Sequence, residues 1–218
     1  MDSAVKRLSN QKSIGWEELM ANSNKYAEFW KWFENNSEMV FNFENDMEKT
    51  FDLLGNELKK IDENLTFEFG PIENNKREFI VSADGIKDSF GEVEKLYNQK
   101  PELEKWTIIK FRPRRNGSYS IKIDNISLSP DDVYFKLFQD DSKVGILAFI
   151  KNYNENTKVY NKMVFLLLDQ LLGEYDVETK VGAIEISDFD SNYFPNSSPF
   201  NMLPKNFDYV YEKINNEK

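Results

Sequence analysis

The stretch WTIIKFRPRRNGSYSIKI, residues 106–123, holds three of the five arginines of the chain, Arg112, Arg114 and Arg115. This concentration is unusual because the chain is acidic, with 38 Asp and Glu against 28 Lys and Arg. Apolar residues recur on both sides of Asn116-Gly117, a pair that is typical of a β-hairpin turn. The stretch therefore predicts two paired strands, over residues 105–112 and 118–124.

Side chains alternate between the two faces of a strand, so the even-numbered residues before the turn share one face. A turn at Asn116-Gly117 places Tyr119 opposite Arg114 on that same face. We expect apolar and cationic groups side by side there, and the candidate residues for binding an anion or a partner are Trp106, Lys110, Arg112, Arg114 and Tyr119. Pro113 cannot donate to a ladder and favours an edge or a bulge, and a bulge would shift the assignment of faces.

Arginine side chains that turn toward a core need a partner. Three alternatives remain open from the sequence. An internal carboxylate pairs with the arginines, for which the candidates are Asp169, Glu174 and Asp176. An external phosphate or carboxylate binds to them, because a guanidinium can hold two oxygens. The third alternative is that the stems cover apolar surface while the charged heads reach water.

The N-terminal segment, residues 15–62, has helical periodicity and predicts two helices. In the first helix, FWKWF at 29–33 places Phe29, Trp30 and Phe33 on one face, which favours core packing over a binding cage. The second helix carries an apolar stripe from Val40 to Ile61. These two helices precede the first residues that have the two-residue period of strands.

Period-two patterns and turn residues predict a mainly antiparallel sheet of about six or seven strands. The predicted strands cover 65–70, 77–83, 105–112, 118–124, 131–139, 143–151 and 181–186, and the predicted helices after residue 62 cover 87–99 and 157–172. The expected fold is a single α+β domain over 1–218, with a helical segment at 15–62, a sheet-containing core at 63–187 and a loop-rich tail at 188–218. We expect the 157–172 helix to pack on the sheet.

The chain contains no Cys and no His. Thiol catalysis, disulfides and imidazole-based acid–base chemistry or zinc binding are therefore excluded within this chain. DFDSN at 188–192 has the oxygen spacing of a calcium loop, but Tyr193 and Pro199 occupy the positions that need Gly and Glu. We therefore expect neither a metal nor another cofactor.

The net charge of −10 argues against binding to nucleic acid or to an anionic membrane. The N-terminal residues lack the apolar segment of a signal peptide, and the longest apolar run, MVFLLL at 163–168, is far too short to span a membrane. We expect a bacterial-type, cytoplasmic location.

Three segments, REFIVSADGI, WTIIKFRPR and LLLDQLLGEYDVE, resemble a pattern found in uncharacterised bacterial proteins. The resemblance covers roughly residues 60–185. It implies a recurring bacterial domain, and it assigns no activity and no functional residue to this chain.

Two classes of function fit these observations. The first is a non-catalytic cytoplasmic binding protein that acts through a protein or a small anion, and a toxin-neutralising protein is one version of this class. The second is an enzyme that uses Asp169, Glu174 or Asp176 for catalysis while Arg112 and Arg114 hold an anionic substrate. An enzyme requires these groups to converge in a concave pocket, whereas a binding protein requires an exposed acidic or aromatic surface.

Overall fold

A computed structural model describes residues 16–115, 120–153 and 158–216 of the chain, with side chains from residue 24 onward. Within these ranges there are seven α-helices and nine strands, which confirms the α+β class. The strands form three separate sheets, so the expectation of one sheet is wrong. Four of the six strand pairings in the described ranges are antiparallel and two are parallel.

The N-terminal helices are α1 (Trp16–Asn35), α2 (Ser37–Phe41) and α3 (Met47–Lys59). The expected second helix is divided in two by a short 3-10 turn at Phe43–Asn45. The carboxylate of Asp46 accepts a hydrogen bond from the backbone N–H of Lys49 at 3.4 Å, and so caps the start of α3. An Asp that caps a new helix competes with helix continuation, which explains the break in a sequence whose apolar stripe is continuous.

The first sheet contains β1 (Thr66–Glu73), β2 (Lys76–Ser82) and β3 (Trp106–Lys110), in that order. Strands β1 and β2 form the predicted hairpin. Strand β3 is parallel to β2, and the helix α4 (Phe90–Asn98) lies in the connection between them. Two parallel strands cannot be joined by a tight turn, so the chain has to cross from the end of β2 back to the start of β3. The predicted 87–99 helix lies in this crossover.

The predicted hairpin between 105–112 and 118–124 is wrong. Strand β3 ends at Lys110, and Phe111 takes a left-handed backbone angle, φ 61°, which turns the chain out of the sheet. The second strand, β4 (Ile121–Ile123), pairs instead with a strand that the sequence did not predict, β5 (Ile126–Leu128). The expected turn at Asn116-Gly117 and the candidate Tyr119 lie outside the described residues.

The third sheet has the order β8-β7-β6-β9. Its strands are β6 (Val133–Asp140), β7 (Lys143–Ile150), β8 (Val181–Ser187) and β9 (Ser198–Pro199), and the helices of this half are α5 (Val159–Leu172), α6 (Glu174–Lys180) and α7 (Leu203–Asn216). The predicted 157–172 helix corresponds to α5. The expected loop-rich tail ends in a helix of 14 residues, because Phe207 and Leu203 pack into the core.

Buried apolar side chains form two clusters in the described part of the chain. The N-terminal cluster joins α1, α3 and α4 to the first sheet, and the C-terminal cluster joins α5 and α7 to the third sheet. Phe29, Trp30 and Phe33 are all in the N-terminal cluster, as the sequence predicted. Residues 111–115 leave the first sheet and run toward α5 and α6.

Phe79 lies at the centre of the N-terminal cluster and has no solvent exposure. Its ring is stacked 4.8 Å from that of Phe33 and meets the ring of Trp106 at 6.2 Å. We expect Phe79→Ala to lower the free energy of unfolding by about 3–5 kcal/mol, measured by urea denaturation, because it opens a cavity in an aromatic core. Phe165, which is 46% exposed on α5, provides the control. Phe165→Ala should stay within about 0.5 kcal/mol of the parent, and an equal loss in both variants would contradict this assignment of the core.

Candidate functional site

Arg112 lies between the two halves of the chain and contacts carboxylates from both. Its guanidinium bonds to Glu68 on β1 and, at 2.5 Å, to Asp84 in the loop after β2. A third carboxylate, that of Asp169 on α5, lies 3.7 Å away. The side chain of Arg112 is 19% exposed, so these internal carboxylates surround most of its head group.

Arg114 and Arg115 are also bonded to internal carboxylates. Arg114 holds both oxygens of Asp208 on α7, at 2.8 and 2.7 Å, and donates to Asp176 on α6 at 2.5 Å. Arg115 donates to Glu78 on β2 at 2.7 Å. We call Arg112, Arg114 and Arg115, with the carboxylates that they bind, the arginine joint. It links the first sheet to α5, α6 and α7.

Glu174 has a fully buried carboxylate at the centre of this joint. One oxygen accepts the backbone N–H groups of Ala83 and Gly85, at 3.1 and 3.0 Å. The other accepts the N–H of Arg112 at 3.0 Å, while the N–H of Glu174 itself donates to the carbonyl of Arg112 at 3.0 Å. A buried carboxylate is tolerated only when it is hydrogen-bonded, and three backbone donors meet that requirement here.

Glu174 and Asp176 follow the end of a predicted helix, a position that the helix dipole disfavours. The structure explains this placement. Gly173, with φ 80°, ends α5, and both acidic residues lie in the first turn of the short helix α6. Negative groups are favourable at a helix start, and no sequence signal beyond Gly173 indicated that a second helix begins there.

The expected shared face ends before it reaches the arginines. Trp106 is buried in the N-terminal cluster and donates its indole N–H to Ser37 at 2.8 Å. Lys110, at the end of β3, pairs with Glu94 at 3.0 Å. Arg112 and Arg114 come after the left-handed Phe111, where strand alternation no longer applies. The structure therefore separates Trp106 and Lys110 from the arginines.

Among the predicted acidic partners, Asp169, Glu174 and Asp176 all lie at the joint. Sequence reasoning missed the other carboxylates, which are Glu68, Glu78, Asp84 and Asp208. Glu68 and Glu78 could have been found, because strand alternation places them on the face opposite the core residues Phe69 and Phe79. Asp84 and Asp208 carry no such local signal.

Asp169 has an unusual environment. Burial raises the pKa of its carboxyl to about 6, and the neighbouring guanidinium of Arg112 opposes this shift. The carboxylates of Glu174, Glu178 and Asp84 add to the increase by repulsion. At neutral pH the carboxyl of Asp169 is therefore ionised, and holding this charge in the folded protein lowers the free energy of unfolding.

A second notable surface lies on the first two turns of α3. Met47 and Phe51 lie one helical turn apart, and they are 50% and 37% exposed. Glu48 and Asp52 are exposed beside them and are also one turn apart. We call this surface the acidic ledge, and its residues are Asp46, Met47, Glu48, Lys49, Phe51, Asp52 and Leu53, with three carboxylates and one Lys. Its three carboxylates form no ion pair with any residue that the structure describes.

The ledge rests on a group of half-buried rings. The ring of Phe51 lies 5.2 Å from that of Phe43 and 5.2 Å from that of Phe67. Phe67 belongs to β1, the edge strand of the first sheet. These contacts hold Phe51 in place although it is exposed, so the ledge is a preformed surface.

Residues 188–192, with the spacing of a calcium loop, have a structural role. The carboxylate of Asp188 accepts the backbone N–H of Tyr153 at 2.6 Å and that of Asp190 at 3.0 Å. The described ranges contain no group of three or more acidic residues arranged to hold a metal ion. Nor is any described helix long and apolar enough to cross a membrane.

Comparison with known proteins adds no relative: no family model, no curated protein and no solved structure matches this chain.

The internal contacts of Arg112 predict a large effect on stability. Arg112→Ala should lower the free energy of unfolding by about 3 kcal/mol, the lower end of the range for a broken buried pair, because Glu68 and Asp84 retain access to water. Urea denaturation measures this change. Arg115→Ala is the matched control and should cost less than about 1 kcal/mol, because Arg115 has one carboxylate partner and is 36% exposed. If the two variants lost stability equally, or neither lost any, the joint would not depend on Arg112.

The raised pKa of Asp169 predicts a pH dependence. The folded protein binds this proton more tightly than the unfolded chain, in which an Asp titrates near pH 3.9. The contribution of Asp169 to stability should therefore fall as the pH rises from about 4 to about 6. Asp169→Asn removes this fall and should raise the free energy of unfolding at pH 7.5 by about 1–3 kcal/mol, with little change at pH 4. Denaturant titrations at both pH values provide the measurement, and a variant with the same pH profile as the parent would refute the assignment.

Proposed function

We propose that this chain is a non-catalytic binding protein and that its partner is a protein with a basic surface. The observation that carries the proposal is the distribution of charge. The three clustered arginines are bonded to the chain's own carboxylates, so they are not free for a small anion. The surplus of acidic groups, a net charge of −10, includes the carboxylates of the acidic ledge, which form no ion pair with a described residue.

The acidic ledge has the composition of an interaction surface. Contiguous patches of exposed apolar side chains that are rimmed by polar groups mark sites of protein association. Met47 and Phe51 supply the apolar contact area, and Glu48 and Asp52 supply charge that accelerates the approach of a basic partner. A protein that neutralises a basic toxin or nuclease is one version of this function.

An enzyme that uses carboxylates remains the second proposal, and one observation favours it. Asp169 has a pKa of about 6 and lies beside Arg112, a combination that suits a general acid or base. Against it, Arg112 and Arg114 already bind Glu68, Asp84 and Asp208, so a substrate anion has to displace these carboxylates. Four clefts on the described surface are lined by other residues. We therefore favour the binding protein.

Charge reversal on the ledge tests the proposal. The full-length chain and the variant Glu48→Lys/Asp52→Lys serve as baits in cell extract, and Glu102→Lys/Glu104→Lys, with the same change in net charge, is the control. We expect a basic protein that the parent and the control capture and the ledge variant does not, and purified components should then bind with a salt-dependent association rate. Partners that are acidic, or that the ledge variant retains at full level, would contradict the proposal.

A further inference from the structure

One edge of the third sheet is open. Strand β6 pairs with β7 along its whole length, but on its other side it pairs with β9 only at Tyr134 and Phe135. Asn196, in a left-handed conformation with φ 65°, turns the chain close to the start of β9, so this strand has only two residues. From Lys136 to Gln139, no described strand pairs with the outer edge of β6. This segment therefore presents backbone N–H and C=O groups that a further strand could bind.

Two clefts meet at this open edge, one on each face of the sheet. The inner cleft, about 330 Å³, lies between the edge and α7 and is lined by Leu137, Tyr209 and Val210 among others. The outer cleft, about 560 Å³, is lined by Phe138, Leu147 and Tyr193 among others. Both clefts also include Lys136 and Leu137, so they are adjacent along the same strand.

The outer cleft is a stable feature of the sheet. Its wall is the 188–197 loop, in which the rings of Phe189 and Phe194 stack at 4.4 Å. Phe194 also packs at 5.5 Å on the ring of Phe149, which has no solvent exposure. This anchoring holds the loop against the sheet while Tyr193 remains 70% exposed beside the cleft.

We infer that the edge of β6 from Lys136 to Gln139 binds an extended segment of a partner protein as an additional strand. An added strand satisfies the free backbone groups of the edge, and its successive side chains point to opposite faces of the sheet. One set of side chains enters the inner cleft and the alternate set enters the outer cleft. The lining of the outer cleft is mainly apolar, whereas that of the inner cleft also includes Asn196, Ser198 and Asn206. The site therefore selects a segment whose residues facing the outer cleft, at every second position, are large and apolar.

Charged groups beside the outer cleft add a preference. Lys136 is opposite Leu147, and Leu147 is opposite Glu185, so the three side chains form one row across the sheet. Neither Lys136 nor Glu185 forms an ion pair with a described residue. Of these three residues only Lys136 lies on the edge strand itself, so an added strand gains an ion pair when it places an acidic residue beside Lys136. This site is in a different half of the chain from the acidic ledge, and its failure leaves the proposed function standing.

A phage-displayed library of random twelve-residue peptides tests the inference against the full-length chain. We expect the enriched peptides to have apolar residues at alternate positions and to shift the backbone amide resonances of residues 136–139. Methylation of backbone nitrogens in a synthetic copy of such a peptide should weaken binding by about tenfold or more, because it removes ladder hydrogen bonds.

Two tyrosine variants separate the clefts. Tyr209→Ser removes a wall of the inner cleft, and Tyr193→Ser removes a wall of the outer cleft. Each tyrosine is at least 67% exposed, so both variants should fold, which circular dichroism spectra can check. Each variant should weaken peptide binding by about tenfold, whereas the exposed control Phe165→Ser should have no effect. The inference is overturned if no peptide is enriched, if binding tolerates backbone methylation and both tyrosine variants, or if sedimentation shows that this edge pairs with a second copy of the chain instead.

Discussion

A carboxylate without any exposure to water, that of Glu174, accepts backbone N–H groups from Ala83, Gly85 and Arg112. A buried negative charge is costly, so the hydrogen bonds that compensate for it must form together. The donors come from the loop after β2 and from the segment after β3, whereas the carboxylate belongs to α6. This requirement fixes the position of the first sheet relative to the second half of the chain. The path of residues 111–115 away from the first sheet depends on these hydrogen bonds.

The arginine joint follows from the same constraint. Once Glu174 holds the backbone of Arg112, the side chains of Arg112, Arg114 and Arg115 lie among acidic residues from β1, β2, α5, α6 and α7. Arginine suits this position because its planar head can bind several oxygens at once. The scarcity of arginine elsewhere in the chain is therefore consistent with a structural use of this residue. Asp169 is the exception, since burial, together with the repulsion of nearby carboxylates, raises its pKa to about 6 in spite of the neighbouring Arg112.

The acidic ledge on α3 and the open edge of β6 differ in physical character. The ledge offers charge and exposed side chains, and the edge offers backbone hydrogen bonds with a cleft on each face. We propose both as surfaces for protein partners, which differ in the kind of contact that they offer.

The sequence by itself determined the α+β class, the β1–β2 hairpin, the 157–172 helix and the aromatic face of Phe29, Trp30 and Phe33. These features depend on periodicity and on local turn chemistry, which a sequence displays directly. It also indicated that the arginines need partners and named Asp169, Glu174 and Asp176 as candidates. Only the tertiary structure decided that Phe111 leaves the sheet, that β3 pairs in parallel with β2, and that Asp84 and Asp208 join the arginines. The reason is physical: these outcomes come from contacts between residues far apart in the chain, such as the hydrogen bonds from the backbone of Ala83, Gly85 and Arg112 to the buried carboxylate of Glu174.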